Sequence, residues 1–405
     1  MSIDQNATLK LLEELIAIDS VNPSLVRGAS GEQRAAEHVQ KFLRAHEIAA
    51  ELEDAAPRRP NVVARIGSSN AKPALMLVAH IDTVGAGDMR EPFTPRFRDG
   101  KLYGRGALDI KSGAAAMCAA AVSIAREVAS GELRLARPFV VAAVVDEECN
   151  SIGTQELLRR GRSADFAVVL EPTDLQLVVA HKGYAWFEIV THGRAAHGSL
   201  PSEGRDAIRM MGRVLVALDE LEKKLTARAS HPRLGNASLH ASLIEGGQEL
   251  SSYPAESRLQ LERRMLSGET EASVEAELRE MLEALEDASK KAGENAKGKS
   301  ARDENVAAFR ATLRGGLGSR PAYEIDEGSA LVKRASAAVR RACGRCELAG
   351  MSAWTDTALL AAARIPGVVF GPSGRGLHGA EEHVEIESVH KCAAALRELI
   401  LEFCG

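Results

Sequence analysis

LMLVAHIDTV, residues 75–84, decides how this chain reads. An apolar run from Leu75 to Ala79 ends abruptly in His80, and Asp82 follows two positions on. Strand side chains alternate between faces, so His80 and Asp82 point the same way if the strand runs that far. A buried strand that delivers a histidine and an aspartate at its carboxyl end is how an α/β protein builds a site. Histidine is a good zinc ligand, and a carboxylate behind it fixes its tautomer and orientation. The plain alternative is a core strand whose last residues happen to be polar. This stretch by itself leaves both readings open.

The pattern recurs downstream. PFVVAAVV (138–145) is a fully apolar strand that ends in Asp146-Glu147-Glu148, and ADFAVVL (164–170) ends in Glu171-Pro172. Between the first two strands lies GRGALDIKSGAAAMCAAAVSIAREV (104–128). Its glycine-rich turn gives way at Lys111 to an alanine-rich helix, with Asp109 at the helix entrance. A GxG before a helix hints at a phosphate loop, but the third glycine of a dinucleotide fingerprint is misplaced and no GxxxxGK[ST] occurs. Apolar strands alternating with helices predict a mostly parallel sheet with helices on both faces. Ligands in such sheets bind outside the carboxyl ends of the strands. Asn61–Ile66 adds a short strand, PGVVFGP (366–372) a late one, and helices are expected over 8–18, 31–46, 328–342, 355–363 and 387–402. The loop 85–100 reads as an irregular surface excursion. His378 sits on the loop SGRGLHGAEEHVEI that follows the last strand.

The pattern changes near residue 182. AWFEIVT (185–191) alternates apolar and polar residues, as a one-sided strand does. A helix at 205–225, the strands LHASLIEGG and SRLQLERRM, a charged helix at 270–290, a weakly ordered stretch at 290–304 and a strand VAAFRATLR follow. That order, β-α-β-β-α-β, predicts an inserted α+β domain of four strands and two helices. The expected division is 1–181 and 319–405 for the sheet domain and 182–318 for the insert. On the strand SRLQLERRM, Arg263 and Arg264 oppose each other, and Arg263 is expected to face outward as a salt-bridge partner.

A chain of 405 residues is too long for one ordinary core, and two domains are the natural expectation. Hydrophobic residues at 45% and charged residues at 26% are ordinary for a globular protein. A net charge of −5 leaves no basic footprint for nucleic acid, and 4% aromatic residues offer few stacking platforms. No basic leader with an apolar core begins the sequence, and no stretch approaches about 20 apolar residues without charge. Six cysteines without framework spacing suit reduced thiols and a cytoplasmic protein. The lone CGRC (343–346) reads as incidental cysteines.

His80, Asp82, Asp109, Glu147, Glu148, Glu171 and His378 thus gather at strand ends, a helix entrance and one loop. Two histidines and three carboxylates suit a pair of zinc ions with one carboxylate shared. Without metal, carboxylates converging in one crevice would repel, and some would stay protonated.

The pieces LMLVAHIDTVG, LYGRGALDIKSG, VVDEECNSIGT, VVLEPT, RAAHGSLPSEGRDAI, ERRMLSGE, SAWTDTALL and LHGAEEHVEI occur in this order over most of the chain. Together they resemble the co-catalytic zinc family of acetylornithine deacetylase, succinyl-diaminopimelate desuccinylase, aminoacylase and bacterial glutamate carboxypeptidase. The resemblance implies a zinc-peptidase catalytic domain with a lid and dimerisation domain at 182–318. It implies two Zn²⁺ per chain, with Co²⁺ or Mn²⁺ as substitutes. His80, Asp109 and Glu171 would hold one ion, and Asp109, Glu148 and His378 the other, Asp109 bridging. Glu147 would be the general base and Asp82 the carboxylate that orients His80. His197 would reach the partner subunit's active site and stabilise the oxyanion, and Arg264 would hold the substrate's α-carboxylate. No role is implied for Asp356. The expected partners are a small N-acyl amino acid or peptide substrate with a free carboxylate and a second copy of the chain through the lid, with no nucleic acid and no membrane. The expected activity is hydrolysis of the amide of an N-acyl amino acid. A carboxypeptidase or dipeptidase with the same site is the nearest alternative. A non-catalytic metal or metabolite binder is the alternative of another class, and it would not need Glu147. The chain departs from the family at Ser252-Tyr253, where an asparagine often stands, at Ser267 and at Ile110.

Overall fold

The structure, a computed structural model, describes residues 3–67, 70–296, 305 and 308–405. It divides into two compact units. The first comprises Met1–Ala180, Glu324–Gly350 and Thr355–Gly405, and the second His181–Tyr323 and Met351–Trp354.

A nine-stranded sheet forms the first unit's backbone. Leu75–His80 lies in its interior, parallel to Phe139–Val144 on one side and to Phe166–Val169 on the other. Gly367–Val369 extends the parallel centre beyond Phe166–Val169. Every residue of these four strands is buried, which is why their sequences are apolar without alternation. The flanks are antiparallel. Ala50–Ala56 pairs with Arg59–Ile66, which joins Phe139–Val144, and Leu177–His181 meets Gly367–Val369. The strand Ala50–Ala56 escapes the sequence pattern because a charged residue, Glu53, is one of those it buries, paired with Arg162.

The helix Lys111–Ala129 is long and apolar enough to cross a membrane by length and composition alone. Its charged residues stand near its two ends and its middle is rich in alanine. Most of the helix is buried inside the protein, where it serves as a core element. Gln5–Ile16 and Ile386–Cys404 pack on it. The loop expected to be irregular instead contributes Arg96–Arg98 to a second sheet, with Lys101–Tyr103, His383–Glu385 and Gly374–Arg375. Lys101–Tyr103 pairs directly with His383–Glu385, so the backbone ahead of Asp109 is fastened to the backbone that follows His378.

The second unit holds a four-stranded antiparallel sheet in the order Ser238–Gly246, Glu256–Met265, Gly183–His192, Ala311–Arg320. Helices Ala207–Ala227 and Glu271–Ala296 pack against it. Ala185, Phe187 and Ile189 alternate onto the helix side, with Val214, Leu218, Val274 and Leu278 opposite them. Arg263 stands across from Ala185 on that same side and is 1% exposed. The outward reading is therefore corrected: Arg263 is a buried ion-pair partner, 2.8 Å from Glu269 and 3.6 Å from Glu277. The stretch expected to be weakly ordered is helical as far as Ala296. Residues 297–304 lie outside the described residues, as do the first two of VAAFRATLR, and the strand itself begins at Ala311.

The turn after Phe139–Val144 leads into a helix, Ile152–Arg159, that the sequence reading omits. Gly153 fits it to the strand end. A Cβ there would lie 2.5 Å from both N and O of Val145 and 2.6 Å from Asn61 Oδ1. Asn61 bonds across the same contact, donating to Gly153 O at 2.8 Å and accepting from Val145 N at 3.2 Å. Gly153→Ala should therefore destabilise the first unit by roughly 1–3 kcal/mol, the usual range for overpacking. A urea titration followed by circular dichroism reads it as a lowered midpoint, and an unchanged midpoint would show that the backbone yields here.

Candidate metal centre

Parallel strands share one direction, so their carboxyl ends open on one side of the sheet. His80 closes Leu75–His80. Glu147 and Glu148 follow Phe139–Val144, and Glu171 follows Phe166–Val169. Asp109 stands just before the helix Lys111–Ala129, and His378 lies between Gly374–Arg375 and His383–Glu385. The fold brings all six together. His80 Nε2 lies 3.2 Å from Asp109 Oδ1, and His378 Nε2 lies 3.2 Å from Asp109 Oδ2. Asp109 therefore stands between the two histidines. His378 Nε2 is also 3.3 Å from Glu148 Oε2, and His80 Nε2 is 3.9 Å from Glu171 Oε2.

Ligand atoms of His80, Glu147 and Glu171 fall within 4.8 Å of one another, as do those of His80, Asp109 and Glu148. The donor set is nitrogen and carboxylate oxygen, which suits zinc and related divalent ions. Glu148 Oε1 and Glu171 Oε1 are buried with no hydrogen-bond partner among the described residues. Buried polar atoms are normally satisfied, and these two face a cluster that a cation would complete. The residues therefore fit a metal pair. Distance alone does not single out Glu147, which lies as close to His80 and Glu171 as a ligand would.

The charges explain why a cation belongs here. Burial pushes Glu147 well above the usual carboxylate range, and Glu171 reinforces the shift. Burial also raises Glu171, against the pull of His80, and Glu148. Asp109 goes the other way: burial opposes it, but His378 and His80 hold it below the usual range. Burial would lower His80, yet its contacts with Asp109 and Asp82 hold it well above 6.5. Asp109 and then Glu148 push His378 up to about 10.

Asp82 is fully buried and does more than the sequence suggests. Its carbonyl oxygen lies 3.1 Å from His80 Nδ1 and its carboxylate 3.5 Å. The carboxylate also accepts the backbone N–H groups of Glu147 and Glu148, each at 3.2 Å. Asn22 donates to it at 2.8 Å. Two further side chains that the sequence reading passed over are Arg105 and Glu382, both 1% exposed. Glu382 accepts from Arg105 Nη1 at 2.7 Å and from the backbone N–H groups of Gly106, Leu108 and Asp109 at 2.8–3.1 Å. Arg105 Nη2 reaches the carbonyls of His378 at 3.4 Å and Gly379 at 3.1 Å. One buried ion pair thus ties the Asp109 turn to the His378 loop. The only hint in the sequence was an arginine inside GRGALD and an acid inside GAEEH.

Asp356 is buried in the first unit and accepts from Thr154 Oγ1 at 2.5 Å. Burial raises its carboxyl to about 6. His197 and Arg264 belong to the second unit. His197 Nδ1 lies 3.2 Å from the backbone N of Ser199, which can only donate. In the neutral ring Nδ1 therefore accepts and Nε2 carries the hydrogen. Arg264 Nε donates to Glu262 at 2.6 Å, and its guanidinium lies 5.6 Å from the centre of the Tyr184 ring.

A histidine ligates metal only as the neutral ring. In the metal-free protein at pH 7 His378, held at about 10 by Asp109 and Glu148, carries a proton, and the contacts of His80 with Asp109 and Asp82 favour its protonated ring as well. Metal binding at pH 7 should therefore release at least about one proton per chain, and affinity should climb as pH rises towards 10. Titration calorimetry in buffers of different ionisation enthalpy counts those protons. Metal uptake without proton release would overturn the protonation assigned to the two rings.

Known proteins resemble this chain in sequence and in fold. The model of peptidase family M20/M25/M40 matches residues 76–402. The acetylornithine deacetylase of Myxococcus xanthus is 29% identical, over 97% of this chain and 97% of its own. The N-formyl-4-amino-5-aminomethyl-2-methylpyrimidine deformylase of Bacillus subtilis is 27% identical, over 87% of this chain and 85% of its own. Among solved structures, a tripeptidase from Staphylococcus aureus superposes with a TM-score of 0.75 at 21% identity, covering 99% of this chain and 98% of that one. A dinuclear metal-binding M20 peptidase from Bacillus subtilis superposes at 0.70 with 16% identity, covering 98% and 97%. The chain is a metal-dependent hydrolase that belongs to peptidase family M20/M25/M40.

Proposed function

We propose that this hydrolase cleaves the amide bond of a small N-acyl amino acid. The observation that carries the reading is Asp109 between His80 and His378, with Glu147, Glu148 and Glu171 around them. His80, Asp109 and Glu171 would hold one Zn²⁺, and Asp109, Glu148 and His378 the other. When bound, the metal pair supplies Lewis acidity, which acidifies water and polarises an amide carbonyl.

The remaining work falls to side chains. Glu147 takes the proton of the attacking water and passes it to the leaving amine. Asp82 holds the Glu147 and Glu148 N–H groups and backs His80, which keeps base and ligands in register. His197, with its hydrogen on Nε2, would reach the active site of a second copy of the chain and donate to the oxyanion developing there. Arg264 offers a planar fork to the substrate carboxylate, a geometry lysine lacks.

The two acyl-removing relatives named above support an N-acyl substrate over a peptide, and the deacetylase among them supports an N-acyl amino acid. We also assign the protein to the cytoplasm, supported by six free cysteines. A homodimer through the second unit is supported by Ser238–Gly246, an edge strand on which Leu243 and Ile244 are 66% and 58% exposed.

Protein purified without chelator should carry up to about two transition-metal ions per chain. Glu147→Gln should keep them while kcat falls about 10²–10⁴-fold, the usual worth of a general base. Elemental analysis and a hydrolysis screen over acetyl, formyl and succinyl amino acids and dipeptides make the measurement. An absence of metal even after zinc is supplied, or full activity in the variant, defeats the assignment. Preferred cleavage of dipeptides would move the protein to the dipeptidase reading. Arg264→Ala should raise KM about 10–100-fold for substrates with a free carboxylate, as loss of a charged hydrogen bond does. Their amides should change little, and equal loss for both would remove Arg264 from the carboxylate.

A further inference from the structure

Arg59 lies outside the metal cluster, at the start of Arg59–Ile66, and its side chain is 11% exposed. Its guanidinium is a hub. Nε donates to Glu32 Oε2 at 2.9 Å, and Nη2 pairs with Glu32 as well. Nη1 donates to Ser24 Oγ at 2.8 Å. Nη2 also reaches Asp146 Oδ1 at 2.7 Å and Asn22 Oδ1 at 3.0 Å. Burying one cation between two carboxylates carries a desolvation penalty that a hydrophobic cluster would avoid. What the arrangement gives in return is geometry.

Two routes lead from this guanidinium to Glu147. The first runs through Asp146, the residue before it. Asp146 has φ +66°, a left-handed conformation that a residue with a side chain rarely adopts. Arg59 and Ser24 both hold its Oδ1, and its carbonyl accepts the N–H groups of Cys149, Asn150 and Ser151. The second route runs through Asn22. Its Oδ1 accepts from Arg59 and from the backbone N of Ser24, which turns its NH₂ towards Asp82. Asp82 in turn accepts the N–H of Glu147. One side chain thereby fixes both the backbone turn before Glu147 and the hydrogen bond on its own amide.

We propose that Arg59 is a positioning residue for Glu147, acting through Asp146 and through Asn22 and Asp82. This rests on the reading of Glu147 as the base. A base must be held closely, since a displacement of about 1 Å can lower a rate about 10²-fold.

The test uses the full-length zinc-loaded protein with Arg59→Met and Arg59→Lys, each alone and combined with Glu147→Gln. Amide hydrogen exchange gives a readout that needs no substrate. Residues 147–151 should exchange at least about tenfold faster in Arg59→Met, while Phe139–Val144 keeps its protection. Equal acceleration of both segments would mean global loosening and would overturn the proposal. So would unchanged exchange at 147–151. With N-acetyl-L-ornithine, or the N-acyl amino acid that the screen selects, kcat should fall about 10²-fold with KM nearly unchanged. In the Glu147→Gln background the same substitution should lower kcat by less than about threefold, because residues acting as one unit are not additive. A full further loss in that background would overturn it. Arg59→Lys keeps the charge without the fork and should show both effects more weakly, and it serves if the methionine variant does not fold. If Glu147→Gln alone retains full activity, the base has been misassigned, and the exchange arm still decides whether Arg59 fixes the turn.

Discussion

The structure depends on one arrangement of charge: a single aspartate, Asp109, held between two histidines that come from opposite ends of the chain. His80 and His378 each approach one oxygen of its carboxylate, and His378 is 269 residues away in sequence. Three glutamates surround this core, and burial works against the ionised form of each. A cluster of that kind is unfavourable unless cations answer it. The parallel centre of the sheet gathers the glutamates and His80 because parallel strands all end on the same side. The small sheet that joins Lys101–Tyr103 to His383–Glu385 then brings Asp109 and His378 to meet them.

Holding such a cluster requires more than the residues that could touch metal. Asp82 serves His80, Glu147 and Glu148 at once, through its carbonyl and both carboxylate oxygens. Glu382 accepts three backbone N–H groups from the turn that carries Asp109, and Arg105 links it to the His378 loop. Arg59 performs a similar task behind Asp146. Asp82, Glu382 and Arg105 satisfy backbone groups of loops directly, whereas Arg59 bonds the side chains of Glu32, Ser24, Asn22 and Asp146. Loops at a site cannot borrow order from a sheet, so side chains supply it.

The parts legible in the sequence share a physical reason. Leu75–Ala79, PFVVAAVV and ADFAVVL are apolar on both faces because both faces are covered, and the abrupt change to His80, Glu147 or Glu171 marks where cover ends. The second unit was legible because a sheet covered on one side writes an alternating pattern, as at Ala185, Phe187 and Ile189. The failures have reasons too. Arg263 sits on the apolar side of its strand because Glu269 and Glu277 meet it there, and hydrophobicity cannot reveal an ion pair. Ala50–Ala56 hides for the same reason, with Glu53 turned inward to Arg162. Lys111–Ala129 has the composition of a membrane span because a core helix and a lipid-facing helix answer to the same apolar surroundings.

The sequence by itself determined which strands are buried, that acids and histidines close them, and which residue types could hold metal. Those properties are local, written in runs of a few residues and in short motifs. The tertiary structure alone decided that Asp109 bonds both histidines, that Glu382 and Arg105 fasten two distant loops, and that Arg59 stands behind Glu147. These are pairings between residues that lie tens to hundreds of positions apart. A single charged residue in a sequence looks the same whether it meets water or a buried partner, and only the fold specifies which.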